Sequence, residues 1–278
     1  MEMYLYDTKE FLSCKPFLRW AGGKTWLLKD LSYFLPKSGF NRYFEPFLGG
    51  GAVYFHLQPK DAFLSDANAE LIETYQCLQK NVYKVINELQ LMDNNKEEYY
   101  SIREQKYRSK YKRAARFIYL NQTSFNGIYR VNQKGEYNVP YGYRTIDHRK
   151  EDNLKIVNRV IQNTHFSSGD FAEIEYKVKK KDLVFLDPPY TVSHNNNGFI
   201  KYNKKLFSLD DQYRLLSLIQ KIKEKDAYYI LTNAAHTKIF EIFGKEDNAY
   251  ELSRANRVGG ENALRNTISE YLFSNIEI

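Results

Sequence analysis

The sequence predicts an α/β fold, a parallel sheet carrying a mainly helical insertion. Three observations support this prediction. Short, β-rich apolar runs recur along the chain, helical patterns follow several of them, and the alternation stops between about residues 69 and 144. A chain of 278 residues, 43% hydrophobic and 16% aromatic, can bury one sizeable core and still carry a smaller appended domain.

The first run, Arg42 to Phe47, breaks into three glycines and then a helical pattern through Ala52, Val53, Phe55 and Leu57. The second, Ala62 to Ser65, leads to a long helix predicted from Ala69 to about Met92. Its apolar positions Leu71, Ile72, Tyr75, Leu78, Val82, Val85, Ile86 and Leu89 recur at three- and four-residue spacing. From Lys96 to Tyr143 no buried strand is evident. That stretch is rich in Arg, Lys and Tyr, ends in NGIYRVNQKGEYNVPYGY, and reads as an insertion into the sheet domain. Asp182 to Leu186 and Ala227 to Thr232 resume the sheet, and the final TISEYLFSNIEI alternates like a closing edge hairpin. No repeat or long linker interrupts the pattern, and Asn195 to Gly198 is the most loop-like tract.

A formal net charge of +7 and a pI near 9.0 favour an anionic partner without identifying one. Cys14 and Cys77 make neither a disulfide framework nor a metal cluster, so reduced thiols and no metal site are expected. With no run of 18 apolar residues, and no basic-then-apolar order in MEMYLYDTKEF, a cytoplasmic, soluble protein with no membrane partner is expected.

The chemistry concentrates where DLVFL runs into Asp187-Pro188-Pro189-Tyr190. In an open α/β sheet, reacting groups collect at the carboxyl ends of strands. A nucleobase amino nitrogen is a poor nucleophile because its lone pair is delocalised into the ring. The Asp187 carboxylate and the Pro188 carbonyl can accept its hydrogens and steer it toward tetrahedral character, facing a sulfonium methyl. The prolines fix the backbone, and Tyr190 can stack on a base taken out of a duplex. A simple strand-ending turn is the competing reading of Asp-Pro-Pro alone.

YFEPFLGGG (Tyr43 to Gly51) places glycines before a helix, where backbone can approach a ligand closely. Tyr54 replaces the last glycine of G-x-G-x-x-G, which disfavours a dinucleotide. Asp66, after the next run, suits ribose hydroxyls or, equally, a helix N-cap. FLRWAGGKT (Phe17 to Thr25) has Leu18 where a P-loop requires its first glycine. Trp20 and Lys24 there suit the adenine or methionine part of a cofactor; the alternative is a core tryptophan and a solvated lysine.

FLRWAGGK, FEPFLGGG, SDANAEL, FNGIYRVN, NVPYG, GDF (Gly169 to Phe171), DPPY and LTN (Leu231 to Asn233) follow one another in the order seen in the DNA adenine methyltransferase (Dam) family, which the chain resembles over nearly its whole length. The resemblance implies a Rossmann-like methyltransferase sheet formed by residues 1–68 and 145–278, with residues 69–144 as a target-recognition domain. It implies S-adenosyl-L-methionine as cofactor, contacted by Trp20, Lys24, Glu45, Phe47, Gly49, Asp66, Asp170, Phe171 and Asp187. It implies double-stranded DNA as partner, with N6 of a flipped-out adenine methylated within GATC, and it leaves room for a separately acting cognate restriction endonuclease. Phe125 resembles a duplex wedge, Asn126 a partner of the opened site, Ile128 a reader of thymine and Arg130 a reader of guanine; Pro140 lies in the matching NVPYG loop. Independently, a wedge replaces lost stacking and an arginine can bond guanine O6 and N7 together. For Phe125 and Ile128 core packing is the competing role, for Arg130 a phosphate contact.

Two positions depart from that pattern. NVPYG continues with Tyr143-Arg144-Thr145 where relatives commonly have Arg followed by Tyr-Lys, so Arg144 either takes over a phosphate contact or flanking DNA is gripped differently. Arg19 stands where a lysine is common, and the two are not interchangeable. Lys106, Arg108, Lys110, Lys112, Arg113 and Arg116 are expected to face phosphates in part. Arg254, Arg257 and Arg265 are further backbone candidates, and 195–205 a candidate lid. Tyr107, Tyr111 and Tyr119 are read as packing and Lys177 to Lys181 as solvated. A cytosine-C5 enzyme would need a nucleophilic cysteine in a Pro-Cys element, which is absent; cytosine-N4 enzymes usually carry SPPY. A catalytically silent DNA-binding relative and N6 methylation at another site are the alternatives.

Overall fold

The computed structural model describes residues 12–132, 134–145, 147–191, 207–245, 247–255 and 267–277. In chain order they form β1 (Tyr43–Glu45), α1 (Ala52–Leu57), β2 (Ala62–Asp66), α2 (Ala69–Gln90), α3 (Lys96–Glu104), α4 (Lys110–Thr123), α5 (Glu151–Val160), β3 (Thr164–Ser168), β4 (Leu183–Leu186), α6 (Leu209–Glu224), β5 (Tyr228–Ala234), α7 (Thr237–Phe243), β6 (Asn248–Ala255) and β7 (Thr267–Ser274). Short 3-10 turns occupy Leu31–Phe34, Phe125–Gly127 and Phe171–Tyr176. The fold is α/β, and it divides into two compact units: residues 1–25 with 48–169, and residues 26–47 with 170–278.

The first unit is mainly helical. All eight apolar positions predicted for α2 are buried, and α2 packs on α4, α5 and β3. Asn68 caps α2 by accepting from the Leu71 N–H at 3.1 Å. The helix is not continuous, because Asn81 leaves helical geometry and its side chain caps Lys84 N at 3.1 Å. An asparagine can offer the backbone this alternative, which apolar spacing does not register. The unit's two strands, β2 and β3, pair in parallel from Ala62–Thr164 to Asp66–Ser168. β3, THFSS, was not predicted: only Thr164 in it is buried, so it lacks the apolar run that announces a strand.

The second unit carries five strands in the order β1-β4-β5-β7-β6. β1, β4 and β5 are parallel, and β7 runs antiparallel to both β5 and β6. The final TISEYLFSNIEI, expected as an edge hairpin, instead supplies a single strand, β7, lying between β5 and β6, and β6, which no apolar run announced, forms the margin. β4 is buried at every residue, as a parallel strand covered on both faces should be. α6 begins in a reciprocal cap between Ser208 and Asp211 and buries Leu215, Leu218, Ile219 and Ile222. Parallel direction brings the carboxyl ends of β1, β4 and β5 to one edge of this unit, and with them Phe47, Asp187 and Thr232 to Ala234. Among the described residues, no helix is long and apolar enough to cross a membrane.

Candidate active site and DNA-recognition surface

Asp187 follows β4 directly. Its Oδ1 accepts from the Thr232 hydroxyl at 2.9 Å. Pro188 is buried, Asp187 and Tyr190 are half-buried, and Thr191 is buried again. The tetrapeptide is therefore held at its start by Thr232 and followed by a buried Thr191, while Pro189 between them is exposed. Behind it lies a polar chain that sequence reasoning missed. Thr191 Oγ1 donates to Phe207 O at 3.1 Å and accepts from Gln212 Nε2 at 3.0 Å, while Gln212 Oε1 accepts from Asn233 Nδ2 at 3.1 Å. Gln212, Thr232 and Asn233 are fully buried. The only advance signal was the polar pair Thr232-Asn233 at the end of an apolar strand.

The same unit holds Glu45, buried, accepting from the Tyr43 hydroxyl at 2.8 Å. Phe47 stacks on Phe171 with centroids 5.3 Å apart and meets Phe207 edge-on at 5.7 Å. Asp170 serves the fold as well: it caps the 171–176 turn through Ala172 N at 2.9 Å, and Arg214 Nη2 donates to it at 2.8 Å. Arg214 also lies over the Phe171 ring, 4.9 Å from its centroid.

In the first unit, Trp20 stacks on Tyr129 at 5.8 Å and lies across Gly49. It is half-buried against the glycine loop, not a core residue. Lys24 is buried, not solvated, and its Nζ donates to Gly22 O at 2.7 Å. Asp66 is not the N-cap of α2, a role Asn68 takes. Asp66 Oδ2 accepts from Gly49 N at 3.0 Å and its Oδ1 from Asn68 N at 2.9 Å. Burial raises its carboxyl pKa, with the Gly49 and Asn68 N–H groups opposing the rise. The carboxylate thus ties the glycine loop to the end of β2, where a polyhydroxylated ligand would meet both.

The end of α4 holds the FLRW segment. The Asn121 side chain accepts from Arg19 N and donates to Arg19 O, both at 2.8 Å, and Gln122 Nε2 donates to Phe17 O. Asn121 to Ser124 are all buried despite being polar: Asn121, Gln122 and Thr123 bond backbone groups, and the Ser124 hydroxyl accepts from the Tyr137 hydroxyl at 3.0 Å. Beyond this clamp the chain turns sharply, with Asn126 at φ +58° and Gly127 at φ +63°. The turn leaves Phe125 54% and Ile128 37% exposed, which excludes core packing for both. Arg130 is exposed and donates through Nε to Asn138 Oδ1 at 2.8 Å. Pro140 is exposed, and its carbonyl accepts from Phe125 N at 2.9 Å. A Cβ on Gly142 would meet Ser124 O at 2.5 Å, so only glycine closes this loop.

Arg144 is half-buried, its Nη1 buried, and its backbone carbonyl accepts from Asn94 Nδ2 at 2.8 Å. Burial and then Arg144 itself lower the Arg19 pKa. In the basic run, Lys106, Arg108, Lys110 and Lys112 are exposed. Arg113 and Arg116 are structural instead: Arg113 grips Glu73 at 2.6 and 2.7 Å, and Arg116 donates to the carbonyls of Ile102 and Arg103. Tyr119 is buried and donates to Asp93 O at 2.7 Å. Residues 195–205, Arg257, Arg265 and the side chain of Arg254 lie outside the described residues.

Asp187, with two prolines and an aromatic, stands at the carboxyl end of a parallel strand, where an open α/β sheet collects its ligands. Residues 20–257 match the D12 class N6 adenine-specific DNA methyltransferases, and the chain belongs to that family. It is an enzyme that methylates adenine in DNA. The type II methyltransferase M.MjaIII of Methanocaldococcus jannaschii is 36% identical over 266 residues, spanning 87% of this chain and 91% of its own. The type II methyltransferase M1.LlaDCHI of Lactococcus lactis subsp. cremoris is 32% identical, covering 96% and 97%. The DNA adenine methylase of Escherichia coli is 31% identical, covering 79% and 80%.

Proposed function

We propose that the chain transfers a methyl group from S-adenosyl-L-methionine to N6 of an adenine flipped out of double-stranded DNA, within GATC. The observation that carries this is Asp187, presented with Pro188 and Tyr190 at the carboxyl end of β4, its carboxylate held by Thr232. In this reading the Asp187 carboxylate and the Pro188 carbonyl accept the amino hydrogens, and Tyr190 stacks on the extrahelical base. When bound, the donor supplies an electrophilic methyl on sulfur. Trp20, Lys24, Glu45, Phe47, Gly49, Asp66, Asp170, Phe171 and Asp187 are the residues proposed to contact it. Asp66 suits ribose hydroxyls through its remaining lone pairs, and Phe47 and Phe171 offer apolar faces to a purine. Asp170 caps the turn that begins at Phe171 and, beside its bonds to Ala172 N and Arg214, keeps lone pairs for the donor.

Residues 69–144 are proposed as the target-recognition domain. Its DNA-contacting residues are Phe125, Asn126, Ile128, Arg130 and Pro140, joined by Arg19 and Arg144. The exposure of Phe125 and Ile128 on a tight turn supports this, since apolar groups left outside a core favour a role in contact. Arg144 lies close enough to Arg19 for the two cations to repel, which favours an anionic partner for the pair. We propose that the enzyme works in the cytoplasm beside a separately acting restriction endonuclease; two relatives bear the name type II methyltransferase. Tritiated S-adenosylmethionine incubated with duplex DNA tests the reaction: label is expected in DNA with the wild type and none with Asp187→Ala. Sequencing that maps N6-methyladenine tests the site, and methyl groups outside GATC would refute that part.

A further inference from the structure

Thr232 is the residue whose geometry goes beyond the roles assigned so far. The register that pairs Leu186 with Leu231 in parallel makes Asp187 and Thr232 the next neighbours along the sheet, and neighbouring residues on parallel strands project to the same face. The threonine hydroxyl donates to Asp187 Oδ1 at 2.9 Å, while Leu186 O lies farther off, at 3.5 Å. Thr232 is fully buried, so water does not compete for this bond. Its β-branched side chain has few rotamers in a strand, which holds the hydroxyl in place.

The register itself is locked from behind. Gln212, in the first turn of α6, bridges the residue after Tyr190 to the residue after Thr232: its amide nitrogen donates to Thr191 Oγ1 and its amide oxygen accepts from Asn233 Nδ2. A slip between β4 and β5 would break both bonds in a buried setting, where unmade hydrogen bonds are costly.

We infer that Thr232 is a positioning residue for the methyl transfer, fixing the rotation of the Asp187 carboxylate so that it accepts an amino hydrogen along a constant direction. The inference rests on reading Asp187 as that acceptor. A carboxylate free to turn about Cβ–Cγ would meet the amino group in many orientations, and the nitrogen lone pair would be aligned with the sulfonium methyl only part of the time. The bond also favours the ionised carboxylate, the form that accepts.

The test compares Thr232→Val, which keeps the branched shape and removes the hydroxyl, with Thr232→Ser, which keeps the hydroxyl. Steady-state kinetics on duplex DNA should show kcat of Thr232→Val reduced about tenfold to a hundredfold. Its KM values for DNA and for S-adenosylmethionine should stay within about twofold of wild type. Thr232→Ser should recover kcat to within about threefold. Removing the donor raises the proton affinity of Asp187, so the acid limb of the kcat–pH profile of Thr232→Val should move to higher pH and that of Thr232→Ser should not. Wild-type kcat in Thr232→Val would overturn the inference. So would equal loss in both variants, or a fall in thermal midpoint and donor affinity that accounts for the lost rate, since each would reduce Thr232 to packing. Measured alongside, an active Asp187→Ala would instead sink the reading of Asp187; an inactive Asp187→Ala beside a fully active Thr232→Val sinks this inference alone.

Discussion

A Cβ built on Gly49 would lie 2.6 Å from Trp20 Cδ1, and Gly49 sits at φ +48°. Both facts point to the same requirement, a backbone that the Trp20 indole can approach closely. Alanine there adds left-handed strain of about 1–2 kcal/mol and pushes the ring aside. Gly49→Ala is therefore expected to weaken S-adenosylmethionine binding by about tenfold or more, with DNA binding retained, as titration calorimetry and filter binding can report. Unchanged donor affinity would remove Gly49 and Trp20 from the donor site. Residue identities alone located these two, but not their contact. Nor did they distinguish the capping asparagine Asn68 from its acidic neighbour Asp66, because either type caps a helix and only the backbone path selects one.

At the scale of elements, the join between α4 and the FLRW segment is the least anticipated feature. Apolar spacing accounts for Phe117, Ile118 and Leu120 in α4, yet the helix ends in three buried polar residues, Asn121 to Thr123, followed by a buried Ser124. Asn121 bonds both backbone groups of Arg19, so Asn121→Ala leaves a partly buried donor and acceptor unpaired. The expected cost is about 2–3 kcal/mol, seen as a lower urea midpoint with an unchanged m-value. A cost near zero would mean that the segment is held by its side chains instead. The predicted α2 stands over nearly its full length, since three- and four-residue spacing is a property of the helix face itself, but its break at Asn81 depends on a single side-chain bond. β3 escaped notice because pairing with β2 gives it backbone partners without requiring an apolar sequence.

For the molecule as a whole, the balance of +7 predicts DNA binding whose affinity falls with salt, with a log–log slope of about −0.9 per phosphate neutralised. The exposed Arg108 and the paired Arg113 separate phosphate contact from framework. Arg108→Ala is expected to reduce the slope by about one. Arg113→Ala should leave it unchanged while lowering thermal stability, because its charge is already met by Glu73. Fluorescence anisotropy from low to high salt measures both, and an equal change of slope in the two variants would contradict this assignment.

By itself the sequence determined the α/β class, four of the strands, the long helix and the order of motifs that places the chain among the D12 methyltransferases, since each is written in local periodicity or in contiguous residues. What only tertiary structure decided are relations between distant residues. Thr232 meets Asp187 because two strands run in parallel register, Lys24 is buried rather than solvated, Asp170 is paired with Arg214, and Phe125 stands outside the core. The physical reason is that a hydrogen bond or a packed ring depends on where chain segments far apart in sequence come to lie, and no residue's own type or neighbours encode that distance.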